Sequence, residues 1–291
     1  MNPPLFILTC MRSYSSLVST MLGQHSAMYC LPEVNLFIAD TIGSGVDLLK
    51  MVRKRTLDGL YRAVAELEYG GQTEKTIALA VQWVEQRGNW TPVQLMEYFD
   101  SKVAHRRLIE KSPSNVLNPD RLTQVLKQFP GAYFLHLYRH PVATTSSIAR
   151  ISQGNQGARA RQMKDPETAW IASNRAIIAL SSAIPVHQFM AVRGEDLLGD
   201  PDTYLGQICD WMGLETTPAD LAAMKHPEAS PFAHIGPDSA PFGADPGFLK
   251  HPQYVRRDIA LPALDAVLDW SKPGRRLSHD AVQLSYQMGY C

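Results

Sequence analysis

Long apolar runs are missing from this 291-residue chain. No stretch approaches the roughly 20 consecutive apolar residues that cross a bilayer. The N-terminus has no basic leader region, and Arg12 interrupts the first apolar stretch early. Neither a membrane span nor export is therefore expected. Cysteine is scarce: Cys10, Cys30, Cys209 and Cys291 stand far apart, with no C-x-x-C and no zinc-ligand spacing. They read as reduced thiols of a cytosolic protein. His, Asp and Glu add no cluster with metal-ligand spacing, so no metal is expected. An excess of one charge is also missing, since 28 basic residues balance 28 acidic ones, which argues against a nucleic-acid partner. Internal repeats and low-complexity tracts are absent. So is the G-x-x-x-x-G-K-[ST] loop, which weakens an ATPase or kinase reading.

What is present is a full core, with 45% hydrophobic residues, and a particular first turn. Residues 5–10, LFILTC, form a largely apolar stretch that reads as a buried parallel strand. Met11-Arg12-Ser13-Tyr14-Ser15-Ser16 follows directly, and Leu17, Val18, Met21 and Leu22 then recur at helical spacing. The first N–H groups of such a helix lack internal partners and point at whatever sits before it. Ser13, Ser15 and Ser16 add hydroxyls, and Arg12 adds a fixed positive charge. This stretch reads either as a phosphate cradle or as a serine-rich cap on a core helix. A phosphatase loop would need Arg six residues after Cys10, where Ser16 stands instead.

A second strand-to-helix turn tips the balance toward the cradle. Residues 133–138, YFLHLY, are followed by Arg139-His140-Pro141 and a helix expected to run to about Arg150, with Pro in its first turn. An Arg at a strand end can grip a phosphate through two parallel donors.

The remaining pattern alternates. Short strands are expected at 27–30, 107–111 and 188–192, and helices at 119–129, 166–184 and 201–212, the last closed by Gly213. Alternation of this kind predicts an α/β fold, a three-layer sandwich around a central parallel sheet. Ligands of such sheets sit at the carboxyl ends of strands, where Arg12, Lys111 and Arg139 all fall. Residues 38–105 read as a helical insertion over the sheet edge, with helices at 47–69, 74–86 and 91–105, either shaping a pocket or forming a structural layer. Residues 151–165 are polar and read as a mobile loop near the functional edge. Residues 227–252 are rich in Pro and Gly and read as a long loop, of the kind that is either functional or disordered. Helices at 261–270 and 279–288 close the chain, which is expected to form one domain over 1–291.

In this order, the cradle, the KSPSN turn, the Arg139…Ser147 pair, the RGEDLLGDP segment and the late Gly/Pro-rich loop resemble a known family. It is the sulfotransferases that use 3′-phosphoadenosine 5′-phosphosulfate (PAPS). Their usual cradle is P-R-S-G-[ST]-[ST]-L-L, so Met11 and Tyr14 depart from the common Pro and Gly. Gly194 departs from the Tyr of the common Y-E-D-L. The segment PEVNLF and the late loop resemble bacterial members, including domains of polyketide assembly lines. The resemblance implies a P-loop-like sulfotransferase fold, PAPS as cosubstrate with adenosine 3′,5′-bisphosphate (PAP) as product, and no metal. It implies 5′-phosphosulfate contacts by Arg12, Ser13, Tyr14, Ser15 and Ser16, and 3′-phosphate contacts by Arg139 and Ser147.

By the same resemblance, Arg12 takes the place of the catalytic cation, where a fixed charge favours the breaking S–O bond. The acceptor is then a hydroxyl or amine of a small or carrier-bound metabolite. Its proton needs a base, for which Glu33 in its Pro-Glu turn is the candidate, with a structural salt bridge as the equal alternative. His136, within a strand, and His140, beside the phosphate site, are the other candidates. Lys111 is expected to bind the sulfonate or acceptor, or else to be a solvated strand end. Phe232 is open between a stacking face for adenine and a core position. A kinase-like phosphotransferase and a catalytically silent nucleotide-binding module stand as alternatives.

Overall fold

The computed structural model describes residues 1–52, 54–154 and 165–291. Five strands form one sheet: β1 Leu5–Leu8, β2 Met28–Cys30, β3 Arg107–Glu110, β4 Tyr133–Tyr138 and β5 Phe189–Arg193. They are all parallel and lie in the order β2-β3-β1-β4-β5. β1 is buried on both faces, as its unbroken apolar run requires. Phe6 and Leu8 face a core shared with Leu108, Phe134 and the helices Asp58–Tyr69, Glu74–Glu85 and Pro92–Lys102. Leu5 and Ile7 face the opposite core, shared with Leu135, Leu137, Val192 and the helices Ser15–Leu22 and Pro201–Trp211. The expected α/β sandwich is therefore the observed one.

The strand order fixes where a ligand belongs. From β1 the chain moves outward to β2 and returns through β3, then crosses β1 to reach β4 and β5. The order reverses between β1 and β4, and a crevice opens at the carboxyl ends of those two strands. Leu8 of β1 pairs with His136 of β4. The two loops carrying Arg12 and Arg139 therefore emerge side by side, although 127 residues separate them.

Four expectations need correction. The single helix at 47–69 is two helices, Ile42–Val52 and Asp58–Tyr69, joined by the 3-10 turn Lys54–Leu57. Long-range contacts impose the break: a Cβ at Gly59 would run into the Glu33 carbonyl, and the Asp58 carboxylate accepts the Phe242 N–H at 3.1 Å. The helix expected to reach residue 105 stops at Lys102, because Ala104 and His105 turn left-handed. The expected loop at 151–165 begins later, since the helix Pro141–Gly154 covers its first residues; residues 155–164 of that loop lie outside the described residues. Finally, 261–270 is not a helix. Leu264 and Leu268 are buried, but the Leu268 N–H donates to the Arg275 carbonyl at 2.8 Å instead of to its own preceding turn. The late loop also holds a short helix, Pro246–Lys250. Among the described residues no helix is long and apolar enough to cross a membrane.

Candidate active site

The first turn adopts a conformation that its sequence disfavours. Arg12 and Tyr14 both have positive φ, 68° and 64°, a region that costs an L-residue about 1–2 kcal/mol. The strain turns the chain abruptly from β1 into the helix Ser15–Leu22. No side chain caps that helix, and no acidic residue lies in its first turn. Its N–H groups thus face the crevice without a resident anion from their own turn. Ser15 and Ser16 line a cavity of about 1000 Å³ there, together with Arg12, Tyr14, Arg139 and Ser147.

The two anion turns are physically joined. Arg139 donates from its Nη1 to the Arg12 carbonyl at 2.9 Å. Arg12 in return donates from Nε to the Ser147 hydroxyl at 3.0 Å. The Arg139 guanidinium lies over the Tyr14 ring, 4.2 Å from its centroid, a favourable cation–π distance. Burial, followed by the charge of Arg139, lowers the pKa of Arg12, with Glu33 opposing. Two guanidinium groups this close are relieved by an anion between them. The Arg139 Nε has no hydrogen-bond partner, a donor that a phosphate or sulfonate would satisfy. The Ser13 Oγ is also without one, but Ser13 is fully buried and does not line the cavity.

Glu33 and Lys111 meet on the neighbouring wall. The Lys111 ammonium is buried and donates both to the Glu33 carboxylate and, at 3.0 Å, to the Ser16 hydroxyl. Lys111 is thus no solvated strand end. Glu33 is gripped along its backbone as well: its N–H donates to the Gly243 carbonyl at 2.6 Å, and its own carbonyl accepts from Asn35 at 3.2 Å. Asn35, itself left-handed, is held by both serines of the KSPSN turn, through Ser112 at 3.0 Å and Ser114 at 2.7 Å. Beneath that turn Glu110 is fully buried, accepting from Ser112 and Asn115. Burial raises its pKa. The salt-bridge reading of Glu33 and its place on the cavity wall are therefore both realised in one geometry.

Some functional neighbours were not singled out in the sequence. Asp245, from the late loop, pairs its carboxylate with the Arg12 guanidinium and donates its N–H to the Ser16 hydroxyl at 3.1 Å. It also caps the helix Pro246–Lys250. The signal was legible: Asp-Pro ahead of Phe-Leu is a helix-start pattern. Arg55, Arg257, Phe242 and Phe248 line the same cavity. Phe232 does not; it packs edge-on to Tyr29 in the core. Neither His136 nor His140 lines the cavity, although His251 does. His136 is buried against Asn174 at 2.9 Å, and its pKa is pushed down to about 4 by burial. His140 abuts Tyr290 edge-on, and burial with the charges of Arg193 and Arg139 pulls it down to about 4.

A family model described as the sulfotransferase family matches residues 3–218. Among solved structures, the chain is similar to the sulfotransferase domain of the Synechococcus PCC 7002 olefin synthase. The identity is 29% with a TM-score of 0.75, over 100% of this chain and 95% of that one. It is also similar to the sulfotransferase domain from the curacin biosynthetic pathway, at 22% identity and a TM-score of 0.78, over 100% of this chain and 98% of that one. The second likeness is one of fold. No curated protein sequence matches the chain.

Proposed function

The chain belongs to the sulfotransferase family, and from that premise we propose that it moves the sulfuryl group of PAPS to a hydroxyl or amine of a small or carrier-bound metabolite. The observation that carries this reading is the link between the two anion turns: Arg12 reaches Ser147 while its carbonyl holds Arg139, so both turns serve one cavity. In a 3′,5′-bisphosphorylated nucleotide the two charged groups are separated by one ribose, and one continuous cavity lined by two adjacent cationic turns suits that. The similarity to the sulfotransferase domain of an olefin synthase at 29% identity supports an acceptor of the natural-product kind.

The residues then divide the chemistry. Ser15, Ser16 and the first N–H groups of the helix Ser15–Leu22 hold the phosphosulfate. Arg139 and Ser147 hold the 3′-phosphate. Glu33 takes the proton from the attacking hydroxyl or amine as the new bond to sulfur forms. The bond from sulfur to the bridging oxygen breaks, and PAP leaves carrying that oxygen. Arg12 stabilises the charge growing there, which is present in the transition state and not in the bound donor. Lys111, held between Glu33 and Ser16, orients the carboxylate and adds a cation at the sulfonate. His136 and His140 lie outside the cavity, which leaves Glu33 as the base among the three candidates read from the sequence.

The test is PAP release from PAPS, followed with a panel of hydroxyl and amine acceptors offered free and carrier-bound. Acceptor-dependent PAP release is expected for at least one of them. PAP binding with no release from any acceptor would favour the silent nucleotide-binding module instead.

A further inference from the structure

The two departures in the sequence, Tyr14 where Gly is common and Gly194 where Tyr is common, are in contact in space. A Cβ added at Gly194 would stand 2.8 Å from the Tyr14 Cδ2 and 3.3 Å from the Tyr138 carbonyl oxygen. The φ of Gly194 is not in the left-handed region, so its backbone does not demand glycine. What demands it is room for the Tyr14 ring. Tyr14 is the opposite case: its φ of 64° is one that glycine adopts freely and tyrosine does not. A ring is therefore kept at a position that strains it, and a side chain is given up at the position that would displace it.

The surroundings of that ring show what it is for. Tyr14 is half-buried and lines the cavity. It shares an apolar cluster with Leu17 and Leu198, and Leu17 continues the strip to Phe248. All four line the cavity, next to the polar set of Arg12, Arg139 and Ser147. A nucleotide divides in the same way, into an apolar base and charged phosphates. We infer that Tyr14, seated on Gly194 and held by the Arg139 guanidinium, is the aromatic wall against which the nucleobase of the donor rests. The pair determines the preference of the site for a base-bearing bisphosphate. This deepens the sulfotransferase reading and rests on it. The strain at Tyr14 is offset in part by its contact with Arg139, and one ring couples the base subsite to the 3′-phosphate subsite.

The experiment compares dissociation constants of PAP and of ribose 3,5-bisphosphate, which has both phosphates and no base. The proteins are wild type, Tyr14→Gly, Tyr14→Phe and Gly194→Ala. Tyr14→Gly removes the ring and relieves the backbone, so a folded protein is expected. In wild type PAP should bind about tenfold more tightly than the base-free compound, as one stacked base provides. That ratio should fall toward one in Tyr14→Gly, fall also in Gly194→Ala, whose methyl displaces the ring, and persist in Tyr14→Phe. A wild-type ratio retained in Tyr14→Gly overturns the inference while leaving the donor reading intact. Wild-type protein that binds neither bisphosphate removes both.

Discussion

Arg12 is the residue at which the two halves of the site meet. One side chain touches Ser147 and Asp245, and its backbone carbonyl receives Arg139. Its type and position were readable from the sequence, because a cation in a hydroxyl-rich turn after an apolar strand has few other uses. Its left-handed backbone was not readable, since no local pattern of an Arg in such a turn calls for a positive φ. Glu33 carries the sharpest residue-scale prediction. Glu33→Gln keeps the shape and much of the contact with Lys111 but cannot accept the proton. Turnover should drop on the order of 10²-fold or more, with PAP affinity nearly unchanged, as measured by single-turnover kinetics beside calorimetry. Equal losses in turnover and in PAP affinity would make Glu33 a structural partner of Lys111 and not the base.

At the scale of elements, the strands were the most legible parts, because β1 and β4 are buried on both faces and read as apolar runs. The helical layer between β2 and β3 was legible as helix but not in its breaks. The turn before Asp58 exists because Gly59 passes the Glu33 carbonyl and Gly243, at a φ of 122°, passes Gly59. Those are contacts among three chain segments, which no local pattern records. The late loop was legible as a long loop from its Pro and Gly, yet not as the source of a carboxylate on Arg12. That carboxylate competes with any anion entering the cradle. Asp245→Asn preserves the helix cap and removes the charge, so PAP should bind roughly two- to five-fold more tightly, and its affinity should depend more steeply on salt. A titration calorimetry series at several ionic strengths reads both. Weaker binding in Asp245→Asn would show that the ion pair positions Arg12 for the ligand and does not oppose it.

For the whole molecule, His136 and His140, two of the buried histidines, set the acid limit. An unfolded histidine takes up a proton below about 6.5, whereas folded His136 does so only near 4. Between those values the unfolded state binds more protons, so stability falls as pH falls through that window and is unaffected by this group above it. His136 alone removes about 3 kcal/mol by pH 4, and His140 acts in the same direction. Denaturant unfolding from pH 7.5 to 4 should show the loss, and it should be smaller in His136→Gln. A flat profile across the window would mean that the rings are protonated in the fold. The balanced charge of the chain leaves its attraction for an anionic ligand to the local arrangement of Arg12, Arg139 and Lys111 around one crevice. The measurement that tests this most directly is the shift in melting temperature of wild type and Arg139→Ala with PAP, AMP and ATP–magnesium. Stabilisation by PAP well above that by AMP, and lost in Arg139→Ala, is the expected result. Stabilisation by ATP–magnesium with none by PAP would contradict the account and make the cavity a phosphotransferase site.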